Sequence, residues 1–376
     1  MIEKFERANQ PMTLKNPVVQ ELKEAGKRII GFTCTNFPEE IVYAAGMIPV
    51  RAIGAPGLTG ESGPLQPASQ CFIARANMEM ALGEGFSNLD GFVITNTCDM
   101  VQNFFSALEY YKPFPFYHFI SRPNIAHSGP ALKFFRYELD EFRKVVEAYA
   151  GKSISDADLS RAISVYNENR RLLKELYDLR GKGQKPLLSG SDFTKVIIAS
   201  FYMDKETHNK LLKDYIQELK AGSGVDGVQV RVHLSGSTYP DTEMFDIIEE
   251  LGGMVVSDDL CIGTRYFVNP VNEKINPMDA LADRYLNKLA CPCMHQDGKL
   301  DERYNFITAQ IKQNRGQGVI FGLQRFCDTH LVDYQALRYR LEADNIPFLY
   351  HEVESTVGAG QLRTKLETFF EIVKGA

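Results

Sequence analysis

Residues 91–100 read GFVITNTCDM, and this segment indicates the fold class. Five residues typical of a buried strand are followed by a short polar segment that contains Cys98 and Asp99, and a helical pattern then begins at Met100. Strands and helices alternate in the same way on both sides of this segment. Parallel strands need a long connection between them, usually a helix, so this alternation indicates a parallel sheet. Further strands are predicted at 28–33, 48–53 and 114–120, and helices at 39–45, 74–82 and 100–110.

The last third of the chain repeats this alternation. Strands are predicted at 228–234, 254–257, 319–323 and 346–350, with helices such as 242–251 and 334–343 between them. The middle differs, because apolar residues recur at helical spacing over 131–150 and Ser155 can cap a helix over 156–180, with Gly181 beyond its end. The pattern predicts an α/β protein with doubly wound parallel sheets, divided into an α/β unit at 1–130, a helical unit at 131–225 and a second α/β unit at 226–376.

Composition narrows the class of protein. The 376 residues are 44% hydrophobic and 24% charged, which is typical of a globular protein and not of a disordered one. The net charge of −6 disfavours nucleic acid or an anionic membrane as the main partner. No apolar run has the length of a membrane span, and residues 1–30 are charged throughout, so we expect a cytoplasmic location.

The seven cysteines are the strongest chemical signal. An odd number without an export signal disfavours a disulfide framework. Four of them, Cys34, Cys98, Cys261 and Cys327, follow predicted strands, where parallel sheets place their binding sites. If the two α/β halves face each other, Cys98 and Cys327 meet across the cleft between them. Cys71 precedes the helix predicted at 74–82, and a helix start lowers the pKa of a thiol.

Three interpretations of these thiols remain open at this stage. They are buried inert thiols, three ligands of an iron–sulfur cluster with a non-cysteine fourth ligand, or a structural zinc site. The spacing of Cys291 and Cys293 is too tight for a zinc knuckle. His295 and His330 lie near cysteines, and we interpret both as surface or hydrogen-bonded histidines.

Several other site types lack their motifs. The chain has no GxxxxGK[ST] loop, no GxGxxG after the first strand, and neither GxSxG nor HExxH. Glu39 and Glu40 follow Pro38, and we interpret them as acidic residues in the first turn of a helix.

The order of several segments resembles the 2-hydroxyacyl-CoA dehydratase and benzoyl-CoA reductase family. The segments are GFTCTNFPEEIVYAAGMIPVR, LQPASQCFIARANMEMAL, LDGFVITNTCDMVQ, VVSDDLCIGTRYF and VIFGLQRFCDTHLVDYQALRYRLEADNIPFLYHE. The resemblance extends from about residue 28 to GQLRTKLETFFE near the C-terminus. It implies two flavodoxin-like doubly wound domains with an intervening helical domain.

The resemblance also implies a cofactor, partners and a reaction. Cys71, Cys98 and Cys327 match the positions that hold an oxygen-sensitive [4Fe-4S] cluster in the family. Family enzymes work as two related subunits in a heterodimer, and a separate ATP-hydrolysing iron–sulfur activator supplies a low-potential electron. In a dehydratase, the electron reaches the thioester carbonyl of the acyl-CoA substrate, and the resulting ketyl radical anion expels the neighbouring hydroxyl group. In the benzoyl-CoA reductase branch, the electrons stay in the aromatic ring.

Two alternatives accompany this interpretation. A related branch forms homodimeric reductases of small molecules with a double-cubane [8Fe-9S] cluster, and Cys261, Cys291 and Cys293 are the further ligand candidates for it. The non-enzyme alternative is a scaffold subunit that docks the activator. Candidates for binding the phosphates of CoA are Arg51, Arg75 and Arg265, although a surface or salt-bridged role is the simpler expectation for each.

Overall fold

The structure is a computed structural model that describes residues 1–57, 60, 63–67, 69–126, 128–287, 291–294, 300–354 and 357–375. Its strands form two four-stranded sheets in which every neighbouring pair is parallel. The first sheet contains β1 (Ile29–Phe32), β2 (Ile48–Arg51), β3 (Gly91–Thr95) and β4 (Phe116–Ile120) in the order β2-β1-β3-β4. The second contains β5 (Val230–Gly236), β6 (Gly253–Asp258), β7 (Gly318–Gln324) and β8 (Phe348–Val353) in the matching order β6-β5-β7-β8.

Helices connect the strands and fill the middle of the chain. The first five are α1 (Glu3–Glu6), α2 (Pro17–Glu24), α3 (Glu39–Ala44), α4 (Phe72–Leu82) and α5 (Asp99–Tyr111), with a 3-10 turn at Gly63–Leu65. Between the sheets lie α6 (Gly129–Ala150), α7 (Asp156–Gly181), α8 (Gly190–Ser200) and α9 (Lys205–Ala221). The C-terminal part contains α10 (Glu243–Glu250), α11 (Thr264–Phe267), α12 (Pro277–Asn287), α13 (Leu300–Gln313), α14 (Asp328–Ala343) and α15 (Ala359–Gly375). Across the described ranges, no helix has both the length and the apolar character needed to cross a bilayer.

The predicted α/β class and all eight predicted strands are confirmed, whereas several helix ends differ from the prediction. Two of these differences concern Cys327 and Gly181. Helix α14 begins at Asp328, earlier than the predicted start at 334, so that Cys327 stands at its first turn. Helix α7 includes Gly181, which was expected just beyond its end. Gly181 fits there because it lacks a Cβ atom, which would lie 2.5 Å from the carbonyl oxygen of Val256 on β6.

The hydrophobic core runs continuously from one sheet to the other. One buried cluster contains Phe92 of β3, Leu173 of α7 and Val232 of β5, so the middle helices pack against side chains of both sheets. The helical segment therefore shares its core with the sheets. The division into units at 1–130, 131–225 and 226–376 stays a prediction.

Candidate cysteine site between the two sheets

The carboxyl ends of strands from both sheets face each other. Cys34 follows β1 and Cys98 follows β3, whereas Cys261 and Cys327 follow β6 and β7. Arg51, the last residue of β2, donates a hydrogen bond from Nη1 to the carbonyl oxygen of Cys261 at 2.9 Å. The two edges at which parallel sheets place their sites thus enclose one common region.

Three of the cysteines stand at the starts of helices. Cys71, Cys98 and Cys327 are the N-cap residues of α4, α5 and α14. Backbone N–H groups in the first turn of α4 contact the Cys71 thiol, and the N–H of His330 contacts the Cys327 thiol. Free N–H groups and the positive end of the helix dipole favour negative charge on sulfur at these positions.

The backbone before Cys327 is strained. Phe326 has a φ of +62°, in the left-handed region that non-glycine residues seldom adopt. Such a conformation costs about 1–2 kcal/mol. Phe326 is the second residue after β7 and lets the chain turn so that Cys327 caps the start of α14. Strain of this kind is found at functional sites.

A chain of contacts connects the cysteines of the two halves. The Cys293 thiol is a close neighbour of the thiols of Cys291 and Cys98. Its sulfur also lies 3.4 Å from the hydroxyl oxygen of Thr329, which lies 3.9 Å from the sulfur of Cys327. Cys98 and Cys327 thus both lie near Cys293, across the cleft between the sheets.

The remaining cysteines belong to the same region. Cys71 is close enough to Cys327 and Asp328 for their charges to interact. Cys261 is an electrostatic neighbour of Cys327 and accepts a hydrogen bond from Nη1 of Arg265 at 3.3 Å. All seven cysteines are free thiols, and Cys34 and Cys291 both lie beside Arg122. We call this region the cysteine site.

Burial dominates the acidity of these thiols. It raises the pKa of Cys71, even though the backbone N–H groups of α4 and the charge of Arg75 lower it. Burial and the nearby Cys71 raise the pKa of Cys327 to about 12. The expected lowering of the pKa by a helix start is therefore present at Cys71 but outweighed. Without a bound metal these thiols keep their protons, and metal binding must release them.

The cysteine site does not match a simple zinc site. Within the ranges that the structure describes, no three His, Cys, Asp or Glu side chains are arranged around one ion position. Structural zinc sites usually draw their cysteines from local pairs, whereas Cys71, Cys98 and Cys327 come from separate segments of the chain.

Two buried side chains at this edge carry polar atoms that have no hydrogen-bond partner in the described part of the chain. Neither amide atom of Asn36, two residues after Cys34, forms a hydrogen bond with any residue that the structure describes. The same holds for both terminal nitrogens of Arg122, which follows β4. Unpartnered buried groups cost about 1–3 kcal/mol each. They are rare enough in native proteins to suggest an additional binding partner.

Other residues highlighted by the sequence have structural partners. Arg51 donates to the carbonyl oxygens of Thr33 and Cys261, and Arg265 forms an ion pair with Asp259 at 3.0 Å. Both arginines are buried and engaged, so they do not form a surface for CoA phosphates. Arg75 is only partly buried and lies beside Cys71.

The structure describes one of the two histidines that lie near cysteines in the sequence. His330 is buried, and its Nε2 lies 3.3 Å from Nη1 of Arg265, as expected for a hydrogen-bonded histidine. His295 lies outside the described residues.

Sequence analysis missed the depth at which Glu39 and Glu40 are buried. Glu40 forms an ion pair with Arg170 at 2.5 Å and accepts a hydrogen bond from the hydroxyl of Tyr285 at 2.8 Å. Burial alone would raise the pKa of Glu40, but Arg170 outweighs it and keeps that pKa below its usual value. Both acids do occupy the first turn of α3, and their apolar surroundings in FPEEIVYAAG are the signal that indicates burial.

Comparison with known proteins identifies the family. The family model described as 2-hydroxyglutaryl-CoA dehydratase, D-component, matches residues 34–373. The chain belongs to this family. The family recognised in the sequence is thereby confirmed, together with the prediction of an enzyme of the dehydratase and benzoyl-CoA reductase type.

Members of the D-component family with curated descriptions align with nearly the whole chain. One of the subunits of benzoyl-CoA reductase from Thauera aromatica is 27% identical over 94% of each chain. The (R)-phenyllactyl-CoA dehydratase beta subunit of Clostridium sporogenes is 27% identical over 95% of each chain. The beta subunit of (R)-2-hydroxyglutaryl-CoA dehydratase from Acidaminococcus fermentans is 27% identical over 99% of this chain and 98% of its own.

Proposed function

We propose that this chain is the iron–sulfur subunit of an oxygen-sensitive 2-hydroxyacyl-CoA dehydratase or benzoyl-CoA reductase. Cys71, Cys98 and Cys327 would hold a [4Fe-4S] cluster by their thiolates. Such a cluster supplies one-electron transfer and, through an iron with an open position, a Lewis acid for a substrate oxygen. The order of strands in each sheet is compatible with the flavodoxin-like domains proposed for this fold.

The observation that carries this proposal is the convergence of three N-cap thiols from both halves of the chain. Each thiol stands at a helix of eleven or more residues, where backbone N–H groups stabilise an anion. Cys98 belongs to the first sheet and Cys327 to the second, so the group that they hold would lie between the halves. The surrounding thiols and the buried arginine side chains limit contact of that group with water.

The reaction requires other proteins and a substrate. The named relatives are subunits, and we propose that this chain likewise works with a related second subunit in the cytoplasm. The chain lacks a GxxxxGK[ST] loop, in keeping with ATP hydrolysis by a separate iron–sulfur activator that delivers the electron. The substrate class is an acyl-CoA thioester.

Iron and acid-labile sulfide per chain, measured on anaerobically purified protein, test this proposal. We expect about four irons per chain, as a [4Fe-4S] cluster requires, and their loss in Cys71→Ser, Cys98→Ser and Cys327→Ser. Serine is a favourable N-cap residue, so these substitutions keep the helix starts. Ser155→Ala, which removes an N-cap without removing a thiol, is the matched control and should retain iron.

The outcome separates the proposals clearly. Iron retained in all three cysteine variants would contradict the ligand assignment. A wild-type protein without iron under strict anaerobic conditions would contradict the proposed function and favour the scaffold that docks the activator.

A homodimeric double-cubane reductase is the second candidate function. The observation that favours it is that Cys34, Cys261, Cys291 and Cys293 join the three N-cap thiols in one region, which exceeds the need of a single cluster. This candidate predicts about twice the iron and its loss in Cys261→Ser, Cys291→Ser or Cys293→Ser as well. Retention of iron in these three variants would favour the single cluster.

A further inference from the structure

Arg122 is a buried cation at the edge of the cysteine site. It follows β4, the edge strand of the first sheet, and only 2% of its surface is exposed. Its Nε donates a hydrogen bond to the carbonyl oxygen of Asn96, the residue after β3, at 3.4 Å. This contact holds the guanidinium group at the carboxyl edge of the sheet, on the same side as Cys34 and Cys98.

The terminal nitrogens of Arg122 have no hydrogen-bond partner within the described part of the chain. Arg51 donates to two carbonyl oxygens, and Arg284 lies near the charge of Glu40. Four further buried arginines each form an ion pair with a carboxylate. These pairs are Arg170 with Glu40, Arg180 with Asp258, Arg265 with Asp259, and Arg303 with Asp259. A buried guanidinium without an anion is strongly unfavourable, so the structure lacks a negative charge beside Arg122.

The groups that face Arg122 are thiols. Burial lowers the pKa of Arg122, and the thiols of Cys291, Cys34 and Cys293 oppose this effect through their negative charge when they ionise. Cys293 in turn contacts Cys98 of the proposed ligand set. An anion bound by these sulfurs would therefore supply the charge that Arg122 lacks.

We propose that Arg122 is the counter-ion of the anionic iron–sulfur group at the cysteine site and stabilises its reduced state. This inference rests on the proposed function. Each one-electron reduction by the activator adds one negative charge to the group, and a fixed positive charge nearby favours that addition. Arg122 acts through the cluster and is therefore a positioning residue rather than a catalytic one.

The test compares four proteins, each purified anaerobically as the full chain. They are the wild type, Arg122→Gln, Arg122→Lys and Arg325→Gln. Iron content is measured first, followed by the midpoint potential from a redox titration monitored by EPR. Arg325 lies close to Cys327 in sequence, but its side chain is 50% exposed and pairs with Glu354, so solvent screens its charge.

We expect Arg122→Gln to be harder to reduce than the wild type. At a fixed potential, its ratio of reduced to oxidised cluster should fall at least about tenfold, which corresponds to about 59 mV for a one-electron couple. Arg122→Lys keeps the charge and should lie between the two. Arg325→Gln should match the wild type.

Each outcome decides the inference. An unchanged potential in an iron-loaded Arg122→Gln protein would overturn it and leave the proposed function intact. Loss of iron in Arg122→Gln but not in Arg122→Lys would support it, since the charge would then be required to hold the anionic group. Loss of iron in both variants would overturn the inference, because a positive charge at this position would then not be enough to hold the anionic group. Absence of iron from the wild type would overturn the proposed function and this inference together.

Discussion

At the scale of single residues, His208 is a titratable group whose neighbours fix it in the neutral form. It is fully buried, its Nδ1 lies 2.8 Å from Nδ2 of Asn169, and its Nε2 lies 3.0 Å from the carbonyl oxygen of Val196. The amide nitrogen of Asn169 can only donate, so Nδ1 accepts and Nε2 donates. Burial and the charge of Lys205 lower the pKa of His208 to about 3.

We expect His208 to make the protein less stable as the pH falls. The folded pKa lies below the ordinary value of 6.5, so the unfolded state binds a proton first. The contribution of neutral His208 to the free energy of unfolding is complete above about pH 6.5. It declines on acidification by up to about 1.4 kcal/mol per pH unit. The measurement is the free energy of unfolding between pH 7 and pH 5 for the wild type and His208→Gln.

The glutamine variant serves as the control for all other acid-sensitive groups, including the cysteine site. Its stability should decline less steeply than that of the wild type over this range. Parallel curves for the two proteins would contradict the assignment of a lowered pKa to His208.

At the scale of elements, the start of α7 shows how local sequence sets a helix boundary. The hydroxyl oxygen of Ser155 accepts a hydrogen bond from the N–H of Asp158 at 3.1 Å, and the Asp158 carboxylate accepts one from the N–H of Ser155 at 2.9 Å. This reciprocal capping box satisfies two N–H groups that the helix itself leaves free.

Ser155→Ala is expected to lower the free energy of unfolding by about 1 kcal/mol, the usual cost of removing such a cap. Denaturant titration of the anaerobically purified protein measures this change. Ser160→Ala is the matched control, because Ser160 lies inside α7 and its hydroxyl donates to the carbonyl oxygen of Asp156 in the same helix. The control should be neutral or slightly stabilising, since alanine is the better helix former. Equal effects of the two substitutions would argue against the capping box.

At the scale of the whole molecule, buried charges connect distant parts of the chain. Glu40 of α3, Arg170 of α7 and Tyr285 of α12 meet in one network, and Arg170 Nη2 lies 3.2 Å from the hydroxyl of Tyr285. These residues come from the first α/β segment, the middle helices and the last segment. The network therefore connects the two segments that carry the cysteines with the middle helices.

Removing Arg170 alone should destabilise the folded protein much more than removing both Arg170 and Glu40. We expect Arg170→Met to destabilise the protein by about 3–5 kcal/mol, because it leaves the Glu40 carboxylate buried without a counter-ion. The double variant Glu40→Met and Arg170→Met should recover part of that loss, since no unpaired charge remains. Midpoints of denaturant unfolding for the two single variants and the double variant measure the coupling. A double variant that loses the sum of both single effects would show that the ion pair is not what couples these positions.

The sequence by itself determined the parts of this protein that depend on neighbouring residues. The apolar runs of all eight strands, the cap at Ser155 and the position of Cys71 before a helix follow from residues within a few positions of each other. The family was also recognisable, because the order and spacing of its motifs are properties of the chain alone.

Only the tertiary structure decided which of these elements meet and what they bury. Cys293 contacts Cys98, although the two are far apart in sequence. Glu40 is fully buried, and the terminal nitrogens of Arg122 have no partner among the described residues, and neither property can be read from neighbouring residues. Strand and helix patterns repeat with local periods, so they carry no record of the distance between two sheets. That distance follows from the packing of one continuous core across both sheets, which brings the carboxyl ends of their strands together around the cysteines.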